Sequence, residues 1–144
     1  MSTGSIFTIR RASWLGDLEG LRSVREAVFV REQHVPVGLE WDGKDPQCDH
    51  VVAEAGGRAV GTGRLLADGH IGRMAVLPAW RRKGVGSAIL TELVVMASQR
   101  GLRAVVLHAQ VRARTFYERH GFCVEGEEFV EAGIAHLKMV RVLD

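Results

Sequence analysis

Apolar residues recur along this chain with two different periods, and the points where the period changes mark its elements. Residues 6–10 fit a short first strand. Residues 17–33 place Leu18, Leu21, Val24 and Val28 three or four positions apart, the spacing of one helical face. Residues 34–49 lose that rhythm and hold Pro36, Gly38, Gly43 and Pro46, which predicts mostly loop. Strands follow over 50–55 and 58–66, joined by Gly56-Gly57, a two-residue hairpin signal. Asp68-Gly69 is a second such signal, leading into a strand over 70–77 that Pro78 stops. A helix over 84–100 sets Val85, Ile89, Leu93, Met96 and Ala97 on one face, with Gly101 suited to its C-terminal cap. A strand over 103–108 turns Val105 and Leu107 one way and Val106 and His108 the other. A short helix over 111–120 ends at Gly121, and two last strands, 122–130 and 135–142, turn near Ala132-Gly133. The order β-α-β-β-β-α-β-α-β-β predicts an α/β fold, a mixed sheet with helices on both faces.

Composition narrows this picture. With 144 residues, 47% hydrophobic and 25% charged, the chain is expected to be one domain over 1–144 that buries a core and stays soluble. No apolar run is long enough for a bilayer, so no membrane partner is expected. The N-terminus lacks the apolar stretch and small-residue cleavage site of an export leader. Cys48 and Cys123 make no CxxC pair, and such thiols without a leader predict a reduced, cytoplasmic setting. Cys48-Asp49-His50 with Cys123 and His120 is not a zinc spacing, so no metal is expected. Trp14, Trp41 and Trp80 are scattered, which suits core or loop anchors better than a base-stacking platform. The net charge of +2 decides nothing, but basic residues crowd 73–83 and 100–119 while acidic ones gather at 125–131. That distribution describes either two solvated faces or a polyanion site beside an acidic mouth.

Residues 74–87 carry the most chemistry. They run strand, turn, helix. Gly84 and Gly86 allow a ligand to approach the backbone without a Cβ in the way. The first N–H groups of a helix have no intrahelical partner and lie at the positive end of its dipole, an arrangement suited to a pyrophosphate. Arg81, Arg82 and Lys83 add charge just ahead of it. The P-loop pattern GxxxxGK[ST] is absent, and GxGxxG is not met, since Gly84-Val85-Gly86 runs on into Ser87-Ala88-Ile89.

Arg81-Arg82-Lys83-Gly84-Val85-Gly86 resembles the [QR]-x-x-G-x-[GA] signature of the GNAT N-acetyltransferases. The preceding Met74-Ala75-Val76 and Pro78 look like that family's acetyl-CoA segment. Downstream, Gln110, Ala113, Tyr117, Gly121 and Phe122 stand at the spacing of its N-x-x-A-x-x-x-Y-x-x-x-G-F motif, with Gln110 where the family commonly has Asn. The element order also matches the family's fold, so the resemblance covers nearly the whole chain.

The resemblance implies acetyl-CoA as cofactor. Its pantetheine would lie where the strand ending at Leu77 splays from the strand ending at His108. Backbone N–H groups of Met74, Ala75 and Val76 would form a weak oxyanion hole. Arg81, Arg82, Lys83, Gly84, Val85, Gly86 and Ser87 would hold the pyrophosphate, with Gln110, Ala113 and Tyr117 nearer the thiol end. Tyr117 is the candidate general acid for the leaving thiolate. With phenol near ~10 and thiol near ~8.5, that proton transfer is expected to be little uphill. Ala113, one turn earlier, leaves room for the thiol. No motif fixes the base; His108, at the strand end, suits the task as a neutral imidazole. Glu32, Gln33, Glu131 and His136 could line the acceptor side, although such polar residues are more often plain surface.

The implied reaction is acetyl transfer to a primary amine of a small molecule or peptide. The alternative is a coenzyme A-binding sensor on the same fold without turnover, since cofactor binding does not prove chemistry. Nucleic-acid binding through the basic face is not expected, because the arginines coincide with the phosphate segment and no nucleic-acid motif is present. A homodimer is left open.

Overall fold

A computed structural model describes residues 6–143. The first residues, on which the expectation of no export leader partly rests, lie outside the described ones. Strands β1 (Thr8–Ala12), β2 (Asp49–Ala55), β3 (Arg58–Leu65), β4 (His70–Val76), β5 (Ala104–Gln110), β6 (Cys123–Val124), β7 (Phe129–Glu131) and β8 (Ile134–Val142) share one sheet. Its order is β1-β2-β3-β4-β5-β8-β6, with β7 also on β8, and only β4 and β5 run parallel. The helices are α1 (Leu18–Arg25), α2 (Val37–Glu40), α3 (Val85–Gln99) and α4 (Arg114–Arg119). Among the described residues no helix is long and apolar enough to cross a membrane.

The expected order therefore holds, with three amendments. The helix read over 17–33 changes winding after Arg25 and continues as a π-helical segment, Glu26–Glu32. The single strand read over 122–130 is two short strands on the same edge of β8, parted where Gly126 takes φ +86° within an acidic stretch. The strand read to His108 runs on to Gln110 beside β8.

The two sheet faces are covered differently. On one, Val24 and Val28 pack with Ala75, Ala59 and Leu77. On the other, Val85, Ile89, Leu93 and Ala97 of α3 join Val51, Leu65, Ile71, Val105, Leu107 and Met139. A bulge at Val60, between the pairs Ala53↔Gly61 and Glu54↔Ala59, switches β3 from one face to the other. Ala59 thus meets Gly20 of α1, while Gly61 and Gly63 lie directly under α3. A Cβ at Gly63 would stand 2.8 Å from Ile89 and Leu93, so the helix rests on bare backbone there.

The segment expected to be mostly loop is instead tied down by a buried ion network. Arg25, only 1% exposed, donates from Nε to Glu40 (2.7 Å) and from Nη1 to Asp45 (2.6 Å). Arg64 donates to the same Asp45 oxygen (2.9 Å) and to Asp42 (2.6 Å). Arg73 donates to the carbonyls of Leu39 and Glu40. Three guanidinium groups thus meet three carboxylates, which offsets the penalty of removing each from water. Burial pushes the Glu40 carboxyl up, opposed by Arg73 and Arg25, whereas the Arg64 hydrogen bond holds Asp42 well below the ordinary carboxylate range. Trp41 lies under the guanidinium groups of Arg22 and Arg25, and Trp14 stacks on His50, as expected of loop anchors.

Candidate active site

Strands β4 and β5 pair at only two positions, His70↔Val106 and Ile71↔Leu107. Beyond Ile71, β4 stays on β3 as far as Gly61↔Val76, and β5 stays on β8 as far as Gln110↔His136. The outer ladders persist while the inner one stops, so a V opens between the strands. A register shift opposite Thr62–Arg64 accompanies the parting, with Arg73 at φ +49°, a left-handed conformation rare outside glycine. Its side chain reaches back to residues 39–42 of the ion network. Near the top of β4, Leu77 N–H donates to the Val60 carbonyl (2.9 Å). Alternate residues of a strand direct their backbone groups to opposite sides, so Val76 turns its N–H and C=O into the opening.

The turn above the opening leads into α3. Gly84 caps the helix at φ +85°, where a Cβ would strain the backbone but meet no atom within 4 Å. The approach to the unpaired N–H groups at this helix start is therefore open, and the fifteen-residue helix behind them presents its positive end. Gly86 lies against Phe116 of α4, 3.5 Å from where its Cβ would be. Ser87 Oγ meets His120 Nε2 at 3.0 Å, which closes the turn against the end of α4. Burial and nearby Arg141 lower the His120 pKa. The three basic residues part ways. Lys83 Nζ stands 5.1 Å from the Trp80 ring centroid, Arg82 is exposed at φ +62°, and Arg81 turns aside. The Arg81 guanidinium grips both carboxylate oxygens of Glu32 (2.6 and 2.8 Å) and donates from Nε to the Val76 carbonyl (2.9 Å). That pairing holds Glu32 below its ordinary pKa.

Two ionisable groups flank the V from opposite sides of the sheet. Tyr117, on α4, donates its hydroxyl hydrogen across to Met74 Sδ at 3.8 Å and packs in the same core as Leu107 and Ala109. Burial pushes its phenol up to about 12, so at neutral pH it keeps its proton. His108 is the first β5 residue past the last β4 pair. It projects away from buried Leu107 and Ala109, and its Nδ1 lies 3.1 Å from Glu131 Oε1.

Two parallel strands thus part beneath an open helix start. Residues 17–143 match the family described as Acetyltransferase (GNAT) domain. The chain belongs to the GNAT acetyltransferase family. It is 34% identical over 139 residues to protein YyaT of Bacillus subtilis, covering 92% of this chain and 94% of that one. It is 41% identical over 122 residues to YjcF, an N-acetyltransferase of the same organism, covering 82% and 87%. A crystal structure of an acyl-CoA N-acyltransferase from Pseudomonas aeruginosa superposes with a TM-score of 0.83 at 30% identity, over 94% of this chain and 99% of that one. GNAT chemistry is acyl transfer from acyl-CoA to nitrogen, and this chain is an enzyme of that class.

Within the GNAT frame, the structure gathers most residues singled out from sequence around one opening. Met74, Ala75 and Val76 form its β4 edge, and Ala113 and Tyr117 lie on the segment that follows β5. Gln110 and Gln33, expected on the cofactor and acceptor sides respectively, touch each other: Gln110 Nε2 donates to Gln33 Oε1 at 2.8 Å. Arg112 Nε donates to Gln110 Oε1 at 3.0 Å, so both ends of this longer amide are in use. Glu32 is taken by Arg81, which joins the π-helical segment to the phosphate turn. Glu131 and buried His136 gather with His108 around Phe129. Sequence reasoning missed the network of Arg25, Arg64 and Arg73 that holds residues 39–45. Its one local sign was Arg25 on the apolar stripe, one position past Val24.

Proposed function

We propose that the enzyme transfers an acetyl group from acetyl-CoA to a primary amine, with the residues around the β4–β5 opening dividing the work. Acetyl-CoA supplies the thioester. The helix-start N–H groups from Val85 onward, with Arg82 and Lys83 beside them, bind the pyrophosphate. The Val76 N–H steadies the carbonyl oxygen at the open edge of β4. Arg81 braces this edge through the Val76 carbonyl and Glu32 rather than binding phosphate itself. Tyr117 gives a proton, or a strong hydrogen bond, to the sulfur as it leaves. His108 accepts the ammonium proton from the opposite face, directly or through water. The two proton transfers therefore never compete for one group.

The phenol is a weaker acid than the sequence suggests. At about 12 rather than ~10, full transfer to a free thiolate near ~8.5 is uphill by roughly 3.5 units, or about 5 kcal/mol. The thiolate in the same buried setting is destabilised too, which narrows the gap. The amine acceptor is a small molecule or a peptide, and His136, Gln33 and Glu131 line its approach.

The observation that carries this reading is the V itself: two outer ladders intact, the inner one stopped, with Tyr117 and His108 on opposite sides of its mouth. The deciding experiment measures coenzyme A release from acetyl-CoA over a panel of primary amines. Release that depends on the amine supports the enzyme. Tight acetyl-CoA binding with no release across small amines, peptides and lysine side chains would replace transfer by a coenzyme A-binding sensor.

A further inference from the structure

We propose that Glu131 is a positioning residue that fixes the tautomer of His108 and leaves Nε2 as the nitrogen that takes the proton. This rests on the base role given to His108 above. Glu131 is placed by a tight turn rather than a long loop. Ala132 and Gly133 both have positive φ, +51° and +75°, so β7 returns at once as β8 with Glu131 opposite Ile134. Its two carboxylate oxygens face two rings. Oε1 lies 3.1 Å from His108 Nδ1, and Oε2 lies 3.7 Å from His136 Nε2. A carboxylate only accepts hydrogen bonds, so the hydrogen between them belongs to His108 Nδ1. The neutral ring then keeps a bare lone pair on Nε2.

The surroundings hold that ring from other directions. Phe129 meets His108 edge-on at 5.1 Å and stacks on His136 at 5.9 Å, so one aromatic side chain braces both. His136 is itself locked, donating from Nδ1 to the Ile134 carbonyl at 2.7 Å. From β4, His70 meets His108 edge-on at 6.0 Å, with Asp68 3.0 Å from the far side of the His70 ring. The charged and titratable groups facing His108 are thus Glu131 from β7, His136 and Lys138 from β8, and His70 from β4. Lys138, the cross-strand partner of His108, is drawn off to Glu125 at 3.0 Å. That leaves Glu131 as the carboxylate in contact with the ring. A carboxylate that holds the remote nitrogen of an imidazole sets which nitrogen reacts and stabilises the imidazolium that forms.

The test uses the full chain, with acetyl-CoA and whichever amine of the panel gives the fastest coenzyme A release. In Glu131→Gln the new amide can offer its NH₂ to Nδ1 and favour the reversed tautomer. The expected loss in kcat/KM is ~10–10²-fold, with an altered pH profile and acetyl-CoA affinity unchanged. Glu131→Asp should recover part of the rate. An independent readout is the ¹⁵N shifts of the His108 ring, which report hydrogen on Nδ1 in the parent and a shift of population toward Nε2 in Glu131→Gln. If His108→Ala is crippled while Glu131→Gln keeps the parent rate, pH profile and ring shifts, the positioning role is overturned and the base role stands. If His108→Ala keeps full activity, the base role falls, and unchanged ring shifts in Glu131→Gln would overturn the tautomer assignment separately.

Discussion

Residues 78–87 reach their working shape through local devices: a 3₁₀ turn at Pro78–Trp80, a left-handed Gly84 and the start of α3. Residues 34–49 do not. They are held by Arg25 from α1, Arg64 from β3 and Arg73 from β4, partners 15 to 34 positions away in sequence. The backbone course of the turn is set locally, and its ties to the rest of the molecule are side-chain contacts, Arg81 with Glu32 and Ser87 with His120. The wall formed by 34–49 is a tertiary construction whose parts do not hold alone. The contrast separates a turn whose backbone is set locally from a wall whose shape depends on distant partners.

The contrast can be broken most severely at Arg25. Arg25→Ala leaves Glu40 and Asp45 buried with fewer partners, a situation that costs about 3–5 kcal/mol. Denaturant melts should show that loss, and a cost below 1 kcal/mol would mean the wall is not held by its ions. At the phosphate turn the damage should fall on binding instead. Acetyl-CoA at a hundredfold its Kd stabilises a protein by about 2.7 kcal/mol. Gly84→Asp, whose side chain tolerates left-handed backbone but repels phosphate, should fold and lose that thermal shift. A folded variant stabilised as well as the parent would refute the site.

Tyr117→Phe separates chemistry from binding. It keeps the ring contacts with Phe116 and Phe122 and removes the one hydroxyl facing Met74. kcat should fall, by less than the ~10²–10⁴-fold typical of acid–base groups because a thiolate leaves readily, while acetyl-CoA affinity holds. Steady-state kinetics with direct cofactor titration checks this; an unchanged kcat at every pH would leave Tyr117 a packing residue. The same phenol makes a pH signature. Its folded pKa of about 12 exceeds the unfolded ~10, so between those values the unfolded chain has shed a proton that the folded one keeps. The parent should therefore lose stability relative to Tyr117→Phe as pH rises from 10 toward 12, by at most about 1.4 kcal/mol per unit. Parallel stability curves for the two proteins over that range would contradict the burial of the hydroxyl. The smallest effect is expected where the turn meets the helical segment that leads into 34–49. Glu32→Gln weakens an exposed pair with Arg81, so stability should change by under ~1 kcal/mol in thermal melts. A larger loss would show that turn and wall depend on each other more than their separate construction implies.

That construction also explains what could be read from the chain. Gly84, Gly86, Ala113 and Tyr117 stand at fixed local spacings, so the turn and the helix after β5 were legible. So were both Gly-bearing hairpins, because Gly56 and Gly57 supply the positive φ their turn demands. The residues around His108 were named singly, but their meeting depends on β5–β8 register and on the hairpin return at Ala132-Gly133. Arg25 offered only its place on the apolar stripe, because a buried arginine is tolerable beside Glu40 and Asp45, and no local pattern announces that encounter. The break in the strand over 122–130 was missed because apolar residues at both ends, 122–124 and 129–130, read as one strand across the polar run 125–128, where Gly126 turns the backbone away.

The two residue pairs that join β4 to β5 have a mechanical meaning as well. Among the described residues they are the only bridge pairs between a half-sheet of β1 to β4 and a half-sheet of β5 to β8; the other ties include the core beneath α3 and side-chain contacts such as Tyr117 to Met74 and Gln110 to Gln33. In the proposed complex, a pantetheine arm lying in the V would take the place of the missing rungs and serve as a temporary strand of the enzyme. Loading the donor would then stiffen the seam between the half-sheets, and release of coenzyme A would loosen it again.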